Sequence, residues 1–166
     1  MFGLKKPQES AEHTASYYAA TANWVTDYPA LQGTETADVV IVGGGFTGVN
    51  TALELSERGY EVVLLEANRI SWGATGRNGG QIIGGIGHGH ERFKKAIGEQ
   101  GIRALYDMGV ECNEIIRERV AKYAIDCDLT WGYLDVALKK RHMEWFAEDK
   151  EHHEKMGYPY PLELLD

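Results

Sequence analysis

The sequence is poor in cysteine and has no long apolar stretch. It contains two cysteines, Cys112 and Cys127, which form no CxxC pair and no metal-ligand spacing. A reduced, cytoplasmic protein is therefore expected. Its longest apolar candidate, Val39–Gly48, is broken by glycine and is too short to cross a bilayer. The first residues lack the apolar core of a secretory signal, so we predict no leader and no membrane span.

Basic residues are also fewer than acidic residues. The 17 Lys and Arg residues are outnumbered by 25 Asp and Glu residues, which gives a formal net charge of −8. An acidic chain repels phosphate backbones, so no nucleic-acid partner is expected. The composition, 43% hydrophobic and 25% charged, is typical of a globular protein, and 166 residues are enough to build a core.

The chain divides into three predicted segments. Residues 1–36 are polar and aromatic and are predicted to form an N-terminal arm with a short helix near Ser16–Asn23. Residues 37–90 are predicted to form a cofactor-binding β-α-β unit with a glycine-rich loop. Residues 91–166 are predicted to form a helical segment and the incomplete beginning of a mixed α+β substrate domain.

In the last segment, apolar residues at steps of three and four predict one long helix packed in the core. The stripe consists of Ile102, Leu105, Gly109, Cys112, Ile116 and Tyr123. Trp131–Leu138 is predicted to be a strand, and Arg141–Met156 a charged surface helix. The histidines of that helix, His142, His152 and His153, are expected to be solvated.

The middle segment has the pattern of a β-α-β unit. Val39–Val42 is a continuous β-branched run, which predicts a strand buried on both faces. An amphipathic helix is predicted from Phe46 to Arg58, with Phe46, Val49 and Leu53 on its apolar side. Val62–Leu65 predicts the second strand, which ends at Glu66.

The turn after the first strand fits the dinucleotide-binding pattern G-x-G-x-x-G, with Gly43, Gly45 and Gly48 at the required places. Phe46 and Thr47 lie between the last two glycines, at the start of the helix. A pyrophosphate is expected to bind there, at the positive end of the helix dipole. Eighteen residues beyond Gly48, Glu66 is placed to accept hydrogen bonds from ribose hydroxyls.

The motif alone does not separate NAD from FAD. The next segment, Gly73–Gln81, replaces the helix that a nicotinamide domain would have with a glycine-rich loop. Such a loop can follow an extended cofactor, with backbone N–H groups and an arginine near the pyrophosphate or flavin; an ordinary surface loop is the alternative. The predicted FAD contacts beyond the turn are Glu66, Ala67, Gly73, Ala74, Thr75, Arg77, Asn78, Gly79, Gly80 and Gln81.

With these motifs, the chain resembles the D-amino-acid-oxidase-like class of FAD-dependent oxidoreductases, and within it the gamma-glutamylputrescine oxidoreductase group. The resemblance is carried by Ala37–Gly48, Leu64–Glu66, Gly73–Gly80, Gly132–Leu134, and the arm segments Ser16–Thr21 and Tyr28–Gly33. It implies an α/β fold: a Rossmann-like FAD-binding domain with a parallel sheet, followed by the start of a mixed substrate domain.

The resemblance also implies a reaction. FAD would accept hydride from the carbon next to nitrogen in an amine or amino acid, giving an imine that hydrolyses, and oxygen or another acceptor would take the electrons. Members of this class are longer, so the chain is expected to be a truncated N-terminal part, inactive alone, with its catalytic residues beyond Asp166. The alternatives are an NAD-dependent dehydrogenase domain and an inactive FAD-binding fragment.

Two further ligand types are not expected. His88 and His90 lie two apart in a glycine-rich stretch, but no further ligands are placed nearby, so no metal site is predicted. Some relatives attach flavin covalently through a histidine in the loop after the acidic residue. No histidine lies between Glu66 and Gln81, so covalent attachment is not predicted.

Overall fold

The computed structural model describes residue 13, residues 15–84 and residues 90–165. In chain order the elements are α1 (Tyr17–Ala20), β1 (Val39–Val42), α2 (Phe46–Glu57), β2 (Val62–Leu65), 3₁₀ turns at Ala74–Arg77 and His90–Phe93, α3 (Lys94–Lys122) and α4 (Lys140–Lys155). They form two compact units, one ending at Gln81 and the other beginning at Ile82. The predicted His88–His90 pattern falls largely outside the described residues.

The first unit contains the predicted β-α-β arrangement. Val39–Val42 and Val62–Leu65 pair in parallel, with Val39 opposite Val62 and Val42 opposite Leu65. The short connection through α2 forms the crossover that parallel strands require. The predicted α/β character and both strand ranges are confirmed. The larger Rossmann-like sheet stays a prediction.

The prediction that β1 is buried on both faces is wrong for this structure. Val39 and Ile41 are half-buried, whereas Val40 and Val42 are exposed, Val42 to 84%. Alternate residues of a strand point to opposite faces, and α2 packs near Ile41, on one face of the two-stranded sheet. The opposite face of β1 is left open among the described residues.

The orientation of α2 also differs from the prediction. Phe46 is 62% exposed and Val49 is exposed as well, although both were expected to face the strands. The apolar residues that pack are Ala52, Leu53 and Leu55, which are half-buried, together with the buried Gly48. Of the predicted apolar side, only Leu53 is therefore correct. Gly48 sets this rotation because only a residue without a side chain can lie so close to the turn that precedes the helix.

The arm contains the short helix that was predicted, although it spans only Tyr17–Ala20. The Ser16 hydroxyl caps it by accepting a hydrogen bond from the Ala19 N–H at 3.2 Å. Serine is a favoured residue at this position because its side chain satisfies an N–H group that has no partner within the helix.

In the second unit, α3 contains a non-helical residue at Gly98 (φ 67°) and buries one side of its longer part. Its buried residues are Ile102, Tyr106, Gly109 and Asn113. The predicted stripe is therefore correct at Ile102 and Gly109, which are buried, and wrong at Cys112 and Tyr123, which are exposed; its other two residues, Leu105 and Ile116, are half-buried. The buried side is shifted by one residue from the predicted stripe, because Tyr106 and Asn113 are more buried than their neighbours Leu105 and Cys112.

Helix α4 confirms the predicted charged helix, but the expectation of solvated histidines is wrong for two of the three. His142 is half-buried, accepts a hydrogen bond from the Leu138 N–H at 3.3 Å and stacks on the Trp145 ring. His153 is half-buried, and its Nδ1 lies 2.9 Å from the Tyr106 hydroxyl of α3. The Tyr158 ring packs against it with a centroid separation of 4.9 Å. The hydrogen bond and this ring contact join α4 to α3 and to the residues after α4.

Trp131–Leu138 is not a strand, contrary to the prediction. The segment has no regular structure, and most of its apolar side chains are exposed, Leu138 to 82%. Its alternating pattern suits a sheet face, but a strand also needs a neighbouring edge, and the described part of the second unit contains no strand. None of the described helices is both long enough and apolar enough to cross a bilayer.

The packing of α2 gives a first test. A Cβ built at Gly48 would lie well under 3.0 Å from the carbonyl oxygen of Gly43. We expect Gly48→Ala to lower the free energy of unfolding of the intact protein by about 1–3 kcal/mol, because the turn and the helix must move apart to make room for the methyl group. Urea-induced unfolding measures the change.

The control is Thr51→Ala, which shortens an exposed side chain of the same helix. Alanine favours helix formation over glycine by about 1 kcal/mol, so local propensity alone predicts the opposite result for Gly48→Ala. A stabilised Gly48→Ala protein would contradict the close packing.

Candidate cofactor site

The site is built around the turn that joins β1 to α2. The Gly43 N–H donates to the Leu65 carbonyl oxygen at 2.7 Å, which extends the strand pairing by one residue. Gly43 then takes a φ of 104°, a conformation that glycine adopts with little cost. The reversal starts α2 directly after Gly45, so the N-terminus of α2 lies at the end of β1.

An open cleft of about 450 Å³ lies at this helix N-terminus. It is lined by Ile41, Val42, Gly43, Gly45, Phe46, Thr47, Gly48, Thr51 and Thr75. All five turn residues predicted to contact a cofactor line it. Thr51 also lines the cleft and was not among the predicted contacts, although its position one helical turn after Thr47 was a usable signal.

The glycine-rich loop reaches the cleft through Thr75. Its Oγ1 accepts a hydrogen bond from the Phe46 N–H at 3.0 Å, so it caps α2 from a residue 29 positions later. A Cβ at Gly45 would lie 3.0 Å from the same oxygen. Ser71 anchors the beginning of the loop, because its N–H donates to the Gly44 carbonyl oxygen at 2.9 Å.

Glu66 binds the turn from the end of β2. Its Oε2 accepts a hydrogen bond from the Gly44 N–H at 2.6 Å, and its Oε1 accepts one from the Asn68 N–H at 3.0 Å. The bond from Gly44, followed by the bond from Asn68, lowers the pKa of this carboxyl group below its ordinary value. Glu66 is therefore ionised at neutral pH and ties the glycine turn to the second strand.

These bonds change the interpretation of Glu66 without removing its predicted role. A carboxylate has about four sites for accepting hydrogen bonds, and two of them are used by the backbone N–H groups of Gly44 and Asn68. Capacity remains for ribose hydroxyls. The neighbouring Ala67 is exposed and does not line the cleft.

Several contacts order the rest of the loop, among them those with Trp72 just before it. The Arg77 Nε donates to the Trp72 carbonyl oxygen at 3.2 Å, and its guanidinium carbon lies 4.6 Å from the Trp72 ring centroid. Asn78 donates to the Thr75 carbonyl oxygen at 2.5 Å and accepts from the Gly80 N–H at 2.8 Å. The predicted contacts that do not line the cleft are Glu66, Ala67, Gly73, Ala74, Arg77, Asn78, Gly79, Gly80 and Gln81.

The chemistry of the cleft suits an anionic cofactor group. The first N–H groups of a helix have no partners within the helix, and they coincide with the positive end of its dipole. Beside them the backbone is bare at Gly43, Gly45 and Gly48, so a phosphate can approach it closely. No group of three or more metal-binding side chains is arranged to hold a metal ion among the described residues.

This arrangement of strand, glycine turn, helix and acidic strand end belongs to a known family. Residues 38–166 match the family of FAD-dependent oxidoreductases known as DAO, so the chain is a member of that family. The resemblance seen in the sequence motifs is thereby confirmed.

Two relatives indicate where in the family the chain lies. It is 46% identical to gamma-glutamylputrescine oxidoreductase of Escherichia coli over 93% of the chain and 36% of that protein. It is 43% identical to the probable oxidoreductase OrdL of Haemophilus influenzae over 89% of the chain and 34% of that protein. The chain thus spans about a third of the length of these relatives. No solved structure matches the chain.

The hydrogen bonds of Glu66 predict how stability depends on pH. Because the folded state lowers the pKa of this carboxyl group, its stabilising effect is present above the ordinary pKa and is lost as the pH falls through the folded pKa. We expect Glu66→Gln to destabilise the intact protein at neutral pH. The difference from wild type should shrink below about pH 4.5, and urea unfolding from about pH 7 to about pH 3 measures it.

Glu61→Gln is the matched control, because it neutralises an exposed glutamate just before the same strand. It should leave the pH dependence close to that of wild type. A Glu66→Gln protein that differs from wild type by a constant amount at every pH would contradict the role of the Glu66 charge in holding the turn.

Proposed function

We propose that the chain forms the N-terminal part of an FAD-dependent oxidoreductase that oxidises the C–N bond of an amine or amino acid. The observation that carries the proposal is the cleft at the N-terminus of α2, lined by bare glycine backbone and by Thr75 from the loop. Membership of a family of FAD-dependent oxidoreductases supports the choice of cofactor.

In this proposal the elements share the cofactor between them. The turn from Gly43 to Gly48 and the dipole of α2 hold the pyrophosphate, and Glu66 accepts hydrogen bonds from the adenosine ribose. The exposed residues of the loop follow the remainder of the cofactor toward the flavin. The proposed FAD contacts are Gly43, Gly45, Phe46, Thr47, Gly48, Glu66, Ala67, Gly73, Ala74, Thr75, Arg77, Asn78, Gly79, Gly80 and Gln81.

Thr75 has two roles that fit together. Its hydroxyl accepts a hydrogen bond from the Phe46 N–H, so it uses one of the donors at the start of α2. A hydroxyl also has a proton to donate, and a phosphate oxygen in the cleft is a suitable acceptor. Thr75 therefore both shapes the helix N-terminus and contributes a donor for the anion that binds there.

FAD is favoured over the nicotinamide alternative for two reasons. The family is defined by FAD dependence. In addition, the residues after Glu66 form a 3₁₀ turn and an extended loop where the next helix of a nicotinamide-binding domain would begin. The charge of Glu66 further disfavours NADP, because its 2′-phosphate would be repelled.

The substrate proposal rests on the relatives. Bound FAD supplies an acceptor for hydride from a carbon next to nitrogen, which is the chemistry that amine oxidation requires. The E. coli relative is named for gamma-glutamylputrescine, so we propose a substrate of that kind. We place the catalytic residues outside this chain, and we propose oxygen or another electron acceptor for the second half of the reaction.

The cofactor proposal predicts that the intact protein purifies with FAD. Gly45→Val should remove most of the bound flavin, because a branched side chain would occupy the space of the pyrophosphate and press on Thr75. Each lost charge-assisted hydrogen bond costs about 1.5–3 kcal/mol of binding free energy. Acid extraction followed by chromatography measures the FAD content.

Gly84→Val provides a control in the other unit, where an added Cβ would lie 3.5 Å from Asn113 in ordinary contact. It should keep its FAD. Equal flavin content in the Gly45 variant and wild type would place the pyrophosphate elsewhere, and extraction of nicotinamide nucleotide alone would support the dehydrogenase alternative.

The substrate proposal has its own test. The FAD-loaded intact protein should be reduced when mixed without oxygen with gamma-glutamylputrescine, and bleaching of the flavin absorbance measures the rate. Putrescine and a simple D-amino acid serve as comparison substrates. Faster reduction by the D-amino acid than by gamma-glutamylputrescine would contradict the proposed substrate and indicate an amino-acid oxidoreductase.

A further inference from the structure

The N-terminal arm contacts the glycine-rich loop at a specific point. The hydroxyl of Tyr18, in α1, donates a hydrogen bond to the Gly79 carbonyl oxygen at 3.0 Å, across 61 residues of sequence. The Tyr18 ring also lies next to Gly80, where an added Cβ would be 3.8 Å from its Cε1. Tyr18 thus contacts two adjacent glycines of the loop.

A second arm residue contacts the other end of the same loop. His13 meets Trp72 edge to face, with ring centroids 6.5 Å apart. A Cβ built at Gly76 would lie 3.4 Å from the His13 Nε2. The arm therefore borders the loop at both ends of the 3₁₀ turn that carries Thr75.

The point held by Tyr18 is connected to the cleft by a short series of hydrogen bonds. The Gly80 N–H donates to the side chain of Asn78, and Asn78 donates to the carbonyl oxygen of Thr75. Thr75 in turn caps α2 through the Phe46 N–H. The side chains of Asn78 and Thr75 thus link the position of Gly79 and Gly80 to the Phe46 N–H at the start of α2.

The loop needs such a contact because of its composition. Glycine loses more backbone freedom on ordering than any other residue, and Gly79 and Gly80 are consecutive and exposed. Free in solution, they would sample many conformations. A hydrogen bond from a separate helix restricts them before any ligand binds, which lowers the entropy lost on binding.

We propose that Tyr18 is a positioning residue for the cofactor, holding the glycine-rich loop closed against the cleft through the Gly79 carbonyl. The inference rests on the proposed binding of FAD in that cleft. Tyr18 acts through the loop, and its effect is on how long the cofactor stays bound. The contact is an O–H···O=C bond, so it depends on the hydroxyl and not on the ring alone.

The test is Tyr18→Phe in the intact, FAD-loaded protein. Loss of one hydrogen bond of ordinary net strength should accelerate FAD release roughly two- to tenfold. The rise in free-flavin fluorescence after dilution into flavin-free buffer, where rebinding is negligible, measures the rate. Tyr17→Phe is the matched control, since it removes a hydroxyl from the adjacent, 75% exposed tyrosine of the same helix.

A second measurement uses the FAD-free protein. Hydrogen exchange at the Gly79 and Gly80 amides should be faster in Tyr18→Phe than in Tyr17→Phe, with the same thermal unfolding midpoint in both. If Tyr18 contributed only to the stability of the whole protein, Tyr18→Phe would lower the unfolding midpoint. Exchange at the loop amides would then increase only as much as exchange elsewhere in the protein. Equal release rates, or equal loop exchange, in the two variants would overturn the proposal.

The two measurements also separate this inference from the function on which it rests. If wild type binds FAD and the two variants release it at the same rate, the positioning role fails and the cofactor proposal stands. If wild type binds no FAD, the cofactor proposal fails, and the positioning role fails with it. The exchange data would then report only on the contact between Tyr18 and the loop.

Discussion

The close approach of α2 to the end of β1 is the constraint on which the first unit depends. Gly48 has no room for a side chain beside the Gly43 carbonyl, and this fixes both the rotation of α2 and the direction in which its N-terminus points. The rotation places Ala52 and Leu55 against the strands and leaves Phe46 at the mouth of the cleft. The packing of α2 and the shape of the cleft thus have the same cause.

Polar contacts then fix the turn from two directions. Glu66 binds the Gly44 N–H from the end of β2, and Thr75 binds the Phe46 N–H from the loop. Both acceptors come from residues later in the chain, so the turn is held by the strand and loop that follow it. A cofactor bound in the cleft would meet a backbone whose conformation is already set, which reduces the cost of ordering it.

Local patterns predicted what local interactions determine. The two short apolar runs predicted both strands, and G-x-G-x-x-G predicted the turn, because each depends on neighbouring residues. The errors arose where distant residues decide. Phe46 is exposed because the contact of Gly48 with the turn sets the rotation of α2. Trp131–Leu138 is not a strand because the described part of its unit contains no strand to pair with. The Tyr106–His153 hydrogen bond joins residues 47 apart in the sequence. Thr75 was predicted as a contact, but its capping of α2 has no signal in the sequence.

The separations along the chain suggest an order of folding. The contact between Gly44 and Glu66 spans 22 residues, and the strand pairing spans 23, so loop closure costs little. The contact between Tyr18 and Gly79 spans 61 residues and needs the loop to be in place. During synthesis, when N-terminal regions fold first, the β-α-β unit should therefore form early. The arm should dock only after the loop has emerged from the ribosome.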